Sequence, residues 1–177
     1  MKPQIIQREQ MTFLGLEYYG PLSGEGWSAG NAVGQLWQRY GVIWDKRKDV
    51  VEGKVIKPEF GYELMIWNEN EFQDTKNFYI FVGAEIDPGQ LTDLPLEMVV
   101  RVLPASTYAS FTVKGENITK WEDKFYKEWL PVSGYQLAYF NDYNLQIQAY
   151  EAGRFKGLGD LIEQSEVDVL IPIEKTS

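Results

Sequence analysis

The sequence of 177 residues contains neither cysteine nor histidine. Without cysteine, the chain can form neither a disulfide framework nor a thiolate site. Without histidine, it lacks a common ligand of catalytic zinc and the base of every histidine-dependent catalytic triad. These absences exclude a large part of enzyme chemistry. We expect no catalytic residue, no metal site and no cofactor.

Long apolar runs and an excess of positive charge are missing too. No stretch approaches the roughly 18 consecutive apolar residues of a membrane span, and the first residues, MKPQIIQREQMTFLG, lack the apolar region of a signal peptide. We therefore expect a cytoplasmic protein that does not bind membranes. Asp and Glu number 26 against 17 Lys and Arg, which gives a net charge of −9. Since nucleic acids are held mainly by Lys and Arg on phosphates, we expect no direct binding of nucleic acid.

Aromatic residues are abundant: six Trp, eleven Tyr and nine Phe make up 15% of the chain. A core of this size does not require so many rings, although core packing accounts for most of them. Trp and Tyr also line ligand pockets, because each combines a large apolar ring with a polar tip. The composition therefore suggests a pocket with aromatic walls.

The most informative stretch is DYNLQIQAYE, residues 142–151, which has the pattern of a central strand. A side-chain period of two places three apolar residues on one face, namely Leu145, Ile147 and Ala149. The other face carries Gln146, Gln148 and Tyr150. Two interpretations remain open: a solvent-exposed strand face, or a polar tip at the bottom of an apolar pocket.

The two halves of the chain look like copies of one strand-helix-strand-strand unit. Residues 12–20 resemble residues 107–115, residues 60–67 resemble residues 143–150, and residues 79–85 resemble residues 169–174. Apolar residues at helical spacing predict helices over 27–40, ended by Gly41, and over 118–130. The basic segment 42–57 has the composition of a charged edge strand or hairpin.

These units predict one α+β domain over residues 1–177, with pseudo-repeats of about 1–90 and about 96–177. We expect the two pseudo-symmetric repeats to share a mostly antiparallel sheet with two main helices on one face. A ligand cleft would then lie between the repeats.

Five segments, in this order, resemble a known family: YIFVGAEI, PASTYASFTVKGE, FYKEWLPVSGY, LQIQAYE and VLIPIE. They are similar to the GyrI-like, AraC-type effector-binding domains, especially the stand-alone integron-associated effector-binding proteins. The resemblance implies a multidrug-type sensor that takes up flat lipophilic small molecules, cationic ones among them, in an aromatic pocket. It also implies a role in transcription regulation without a DNA-binding domain of its own.

The resemblance also implies a set of ligand-binding residues, although a Trp on the apolar face of a helix often only packs on the sheet. The candidates are Trp27, Trp37, Tyr62, Glu63, Trp121, Trp129, Gln148 and Tyr150. Gln148 stands where many relatives carry a buried Glu two residues before a Tyr. We therefore expect neutral ligands to be tolerated, unless Glu63 or Glu151 supplies the charge.

Two other functions stay open from the resemblance. Some relatives hydrolyse strained cyclopropane-containing compounds, and a Glu beside a Tyr and a Trp has the groups for acid–base catalysis. The namesake of the family resembles a gyrase-modulating protein, which allows a protein-interaction role. The sequence argues for no particular protein partner.

Overall fold

The computed structural model describes residues 2–21 and 31–176, and within them nine strands form a single sheet. The strands are β1 (Gln4–Arg8), β2 (Met11–Pro21), β3 (Phe60–Asn68), β4 (Asn77–Glu85), β5 (Val99–Leu103), β6 (Ser106–Lys114), β7 (Tyr135–Leu137), β8 (Tyr143–Glu151) and β9 (Glu166–Lys175). Every pair of neighbouring strands in this sheet is antiparallel. The predicted α+β class with a mostly antiparallel sheet is confirmed.

The order of the strands shows the duplication. It runs β1-β6-β9-β8-β3-β4-β2-β5, with β7 added beside β9. The pair β3–β8 lies at the centre, and each repeat continues outwards from it in the same way. The outer strands are exchanged: β1 of the first repeat pairs with β6 of the second, and β5 of the second repeat pairs with β2 of the first.

The first helix, α1 (Ala32–Val51), is longer than predicted. It begins at Asn31, whose side chain accepts a hydrogen bond from the Gly34 backbone N–H at 3.1 Å. It then continues through Gly41, so the predicted end at Gly41 and the predicted strand over 42–57 are both wrong. A glycine inside a helix costs only about 1 kcal/mol. Here the apolar stripe continues beyond it, with Ile43, Trp44 and Val51 packed in the same cluster as Leu36.

The second helical segment lies where residues 118–130 were predicted to be helical, but it is irregular. A 3₁₀ turn, Gly115–Thr119, leads into a π-helical segment, Asp123–Trp129, and a second 3₁₀ turn, Leu130–Val132, follows. Trp121 and Phe125 are buried against Phe111 of β6 and Val169 of β9. A short helix, α2 (Glu69–Thr75), joins β3 to β4. No helix of the described residues is long and apolar enough to span a membrane.

The two faces of the sheet are covered differently. One face buries a cluster built almost entirely from strand residues, including Tyr62, Leu64, Leu145, Ile147 and Ala149. The other face packs against α1 in the first repeat and against the π-helical segment in the second. The polar residues of β3 and β8 that point to this helical face lie in the space left between the two helical elements.

Candidate ligand-binding site

A cavity of about 810 Å³ lies on the helical face of the sheet, over the central pair β3–β8. Its volume is in the range usual for pockets that hold drug-sized ligands. Aromatic rings from both repeats line it: Trp37, Tyr40, Trp44, Phe60, Trp121, Tyr150 and Phe155. The cavity is therefore apolar over most of its wall and sits where the two repeats meet.

The charged groups of the cavity are all acidic. Four carboxylates belong to its lining, those of Glu59, Glu63, Glu122 and Glu151. Among the described residues that line it there is no Lys and no Arg. Glu151 is already compensated, because Arg154 Nη1 lies 2.8 Å from its Oε2. Glu63, in contrast, forms no ion pair with any residue of the described ranges.

Glu63 occupies the floor of the cavity and is only 4% exposed. It lies directly opposite Gln148 in the antiparallel pairing of β3 with β8. The indole Nε1 of Trp37 donates a hydrogen bond to Glu63 Oε2 at 2.9 Å. Gly61 permits this approach, since a Cβ there would lie 3.0 Å from the Trp37 ring. A strand residue and a helix residue are thus joined at the centre of the site.

Tyr150 connects the two strands through its hydroxyl group. Its oxygen lies 3.4 Å from Glu63 Oε2 and 3.2 Å from Gln148 Oε1. A phenol has one proton and donates to one acceptor at a time. When Glu63 is ionised, Tyr150 donates to it. When Glu63 is protonated and a weaker acceptor, Gln148 Oε1 is the other acceptor within reach of the Tyr150 hydroxyl.

Burial controls the ionisation of this group of residues. Removal from water raises the pKa of Glu63 above its ordinary value, and the hydrogen bonds from Trp37 and Tyr150 offset part of that effect. Burial also raises the pKa of Tyr150, and the neighbouring Glu63 raises it further. Tyr150 therefore stays a neutral donor, and Glu63 is the group whose charge can change.

The structure brings five of the predicted ligand-binding residues to one cavity. They are Trp37, Glu63, Trp121, Gln148 and Tyr150. The prediction that β8 turns its amides and Tyr150 away from its apolar residues is confirmed. Trp27 lies outside the described residues.

Two predicted residues do not reach the cavity. Tyr62 points to the opposite face of the sheet, because it alternates with Glu63 along β3. There it packs edge-on against Phe13, with ring centroids 5.1 Å apart, and donates a hydrogen bond to Glu85 at 3.1 Å. Trp129 stacks between Phe125 and Tyr135, with centroids 5.2 and 6.4 Å away, and has a packing role.

Several residues of the cavity were not predicted. Tyr40 already belonged to the apolar face of the predicted helix, three residues after Trp37, and was not assigned to the pocket; Trp44 follows at the same helical spacing, and extending the helix through Gly41 would have identified it. Gln146 shares a strand face with Gln148 and was the only one of that face left out. Phe155, whose ring lies 4.8 Å from that of Tyr150, comes from the connection between β8 and β9, where no periodic pattern marks it.

The fold recurs in several solved structures at low sequence identity. SAV2435, solved with bound tetraphenylphosphonium, is 13% identical with a TM-score of 0.65, and the match covers 98% of this chain and 94% of that one. The integron cassette protein VCH_CASS2 of Vibrio cholerae is 15% identical with a TM-score of 0.51, over 98% and 96% of the two chains. A hydrolase encoded by lin2189 of Listeria innocua is 12% identical with a TM-score of 0.56, over 98% and 92%.

At this level of identity the structural matches establish a shared fold. Among curated protein sequences, none is a significant match to the chain. The family model of the integron-associated effector-binding proteins matches residues 4–173, almost the whole chain. The chain therefore belongs to the integron-associated effector-binding protein family.

Proposed function

We propose that the protein binds lipophilic aromatic cations in the cavity over β3 and β8, as the sensing part of a regulatory response. The observation that carries this proposal is Glu63, a buried carboxylate at the cavity floor that has hydrogen-bond donors and no cationic partner within the described ranges. A buried carboxylate is costly unless a positive charge compensates it. A ligand that brings this charge removes the cost.

The walls of the cavity support the same ligand class. Cations over the faces of Trp, Tyr and Phe gain about 0.5–2 kcal/mol each, and seven aromatic side chains line the cavity. The acidic lining repels anions. SAV2435, which shares the fold, was solved with a lipophilic cation bound, tetraphenylphosphonium.

Gln148 does not remove the preference for cations in this proposal, because Glu63, one of the two acids that the sequence left open, supplies the charge. The carboxylate is supplied from the neighbouring strand, because Glu63 lies directly across from Gln148 in the sheet. Gln148 then has a supporting role: its amide shares the hydroxyl of Tyr150 with Glu63. Glu151 does not supply the charge for the ligand, since Arg154 already pairs with it.

The test uses two ions of the same shape and opposite charge, tetraphenylphosphonium and tetraphenylborate, titrated by calorimetry. We expect the cation to bind and the anion to bind at least tenfold more weakly, a difference of about 1.4 kcal/mol. Glu63→Gln should weaken binding of the cation by a similar factor. Equal binding of both ions, or an unchanged cation affinity in Glu63→Gln, would contradict the proposal.

Binding without turnover is part of the proposal. Glu63 with Tyr150 has the groups of an acid–base pair, and a Listeria innocua protein of the same fold is named a hydrolase. One measurement distinguishes binding from hydrolysis. A binder returns its ligand unchanged after prolonged incubation, whereas a hydrolase converts a cyclopropane-containing aromatic compound to a product heavier by one water.

A further inference from the structure

A second carboxylate lines the cavity at a distance from Glu63. Glu122 precedes the π-helical segment and belongs to the cavity lining. Its side chain lies next to that of Gln146, which is only 2% exposed. Within residues 2–21 and 31–176, no Lys or Arg forms an ion pair with Glu122. Of the four carboxylates in the lining, only Glu151 has a cationic partner among the described residues, and Glu63 and Glu122 are the two unpaired ones that lie next to a glutamine of β8.

Strand β8 sets the spacing of the two acids. Gln146 and Gln148 lie on the same face of β8 and are two residues apart, which corresponds to about 7 Å along the strand. Glu63 lies opposite Gln148, and Glu122 lies next to Gln146. The two carboxylates thus lie beside two successive inward-facing positions of β8, Glu63 on the neighbouring strand and Glu122 in the helical region, and both line one cavity.

The two positions have related surroundings. Desolvation raises the pKa of Glu122, and the hydrogen bond to Gln146 offsets part of that effect. Each acid is therefore a carboxylate of the cavity lining next to a glutamine of β8 and without an ion-pair partner among the described residues, although Glu63 is buried and the side chain of Glu122 is exposed. A ligand with one positive charge compensates one of them and leaves the other as it was. A ligand with two charges at this spacing compensates both.

We propose that the cavity selects aromatic dications whose positive centres are separated by about 7 Å or more, with one centre at Glu63 and the other at Glu122. The inference rests on the proposed function, because it assumes that ligands enter this cavity. It goes further by naming a second anchoring residue and the number of charges on the ligand.

The probes are methyl viologen, a flat dication with one charge on each ring, and N-methyl-(para-tolyl)pyridinium, which has the same shape and a single charge. Calorimetric titration of the wild type should give about tenfold or greater preference for the dication. Glu122→Gln should abolish most of this preference, because it should weaken binding of the dication far more than binding of the monocation.

The matched control is Glu128→Gln. It removes the same charge from the same helical region, and Glu128 is exposed like Glu122 but is not part of the cavity lining. This variant should keep the full preference of the wild type. The control separates a specific contact from the general attraction between a dication and a protein of net charge −9.

Failure of this inference is distinguishable from failure of the proposed function. If the wild type binds tetraphenylphosphonium but shows no preference for methyl viologen, or if Glu122→Gln and Glu128→Gln lose the preference equally, the second position at Glu122 is refuted and cation binding stands. If tetraphenylphosphonium does not bind either, both proposals fall.

Discussion

Glu63 and Gln148 are cross-strand neighbours on the two central strands, one contributed by each repeat. Their side chains share one hydroxyl, that of Tyr150, which lies 3.4 Å from the carboxylate and 3.2 Å from the amide. The site therefore depends on both halves of the duplication. Its ionisable group belongs to the first repeat, and its supporting hydrogen bonds come from the second repeat and from α1.

The first prediction concerns the stability of Glu63→Gln. Burial raises the pKa of Glu63 above its ordinary value of 4.5, so the folded protein holds this proton more tightly than the unfolded chain does. The contribution of Glu63 to the stability of the ligand-free protein should therefore fall as the pH rises from below 4.5 through the raised pKa. Glu63→Gln removes that loss, and its amide oxygen still accepts from Trp37.

Chemical denaturation at a series of pH values tests this. Glu63→Gln and the wild type should have similar unfolding free energies at acidic pH, and the variant should be more stable at neutral and alkaline pH. Glu59→Gln, which removes an exposed carboxylate at the cavity rim, is the control and should show a smaller change. A variant less stable than the wild type at alkaline pH would mean that ionised Glu63 stabilises the empty site.

The second prediction concerns the pH dependence of cation binding. A cation binds the ionised form of Glu63, so binding lowers the pKa of this group and releases a proton wherever Glu63 was protonated beforehand. The affinity for tetraphenylphosphonium should rise with pH through the raised pKa and become constant above it.

Calorimetry in buffers of different ionisation enthalpy measures the proton release directly. The wild type should release a proton in the rising part of the affinity curve, and Glu63→Gln should release less. If the affinity is independent of pH and no proton is released, Glu63 is already ionised in the empty cavity at every pH measured.

The third prediction uses the cross-strand pair itself. Gln148→Glu places a second carboxylate opposite Glu63, and two buried like charges at this distance cannot both ionise freely. The variant should be less stable at neutral pH, by on the order of 1–3 kcal/mol. The loss should shrink as the pH falls, since burial raises the pKa of the new carboxylate above its unfolded value.

The double variant Glu63→Gln with Gln148→Glu moves the carboxylate from β3 to β8 and keeps the number of charges constant. It should regain most of the cation affinity lost in Glu63→Gln alone, because Tyr150 reaches both positions. Affinities for tetraphenylphosphonium in the four proteins form a double-mutant cycle. No recovery in the double variant would show that the position of Glu63, rather than the presence of a carboxylate, determines binding.

The fourth prediction compares two buried tyrosines on the face of the sheet without helices. The hydroxyl of Tyr108 is buried and has no hydrogen-bond partner among the described residues, whereas that of Tyr62 donates to Glu85 at 3.1 Å. Tyr108→Phe should leave the stability unchanged or increase it by up to about 1 kcal/mol. Tyr62→Phe should lower it by about 1.5–3 kcal/mol, because a hydrogen bond to a charged group is lost.

Urea denaturation of the two variants measures both changes at neutral pH. They remove the same atom from the same kind of position, so each is the control for the other. A large loss in Tyr108→Phe would indicate that a buried water bridges its hydroxyl to another group.

The sequence predicted the strand faces of the site well and the helices less well. The alternation in β8 placed Gln146, Gln148 and Tyr150 on one face, because strand periodicity is local and strict. Tyr62 was assigned to the pocket through the resemblance, although the same alternation in β3 places Tyr62 and Glu63 on opposite faces of the sheet. The strand alternation was the better guide to Tyr62 than the family resemblance, because Tyr62 lies on the face of the sheet away from the cavity.

Other features depend on contacts that no local pattern encodes. Gly41 has the sequence signature of a helix end, and the packing of Trp44 and Val51 against the sheet overrides it. The pairing of Glu63 with Gln148 joins residues from two repeats, and only the register of β3 against β8 brings them together. Glu122 could be identified as a cavity residue only from the structure, which shows where the irregular helical segment packs.

The exchange of the outermost strands makes the two repeats inseparable as folding units. Gln4 pairs with Ser110, and Met11 pairs with Leu103, so each half of the chain carries the strand that completes the other half. Such a topology closes only when distant segments of the chain meet, which favours slow, concerted folding over stepwise assembly of the halves. A chain cut between β4 and β5 would give two fragments. The first would carry β1 but lack its partner β6, and the second would carry β5 but lack its partner β2. They should be inactive alone and should recover ligand binding when mixed.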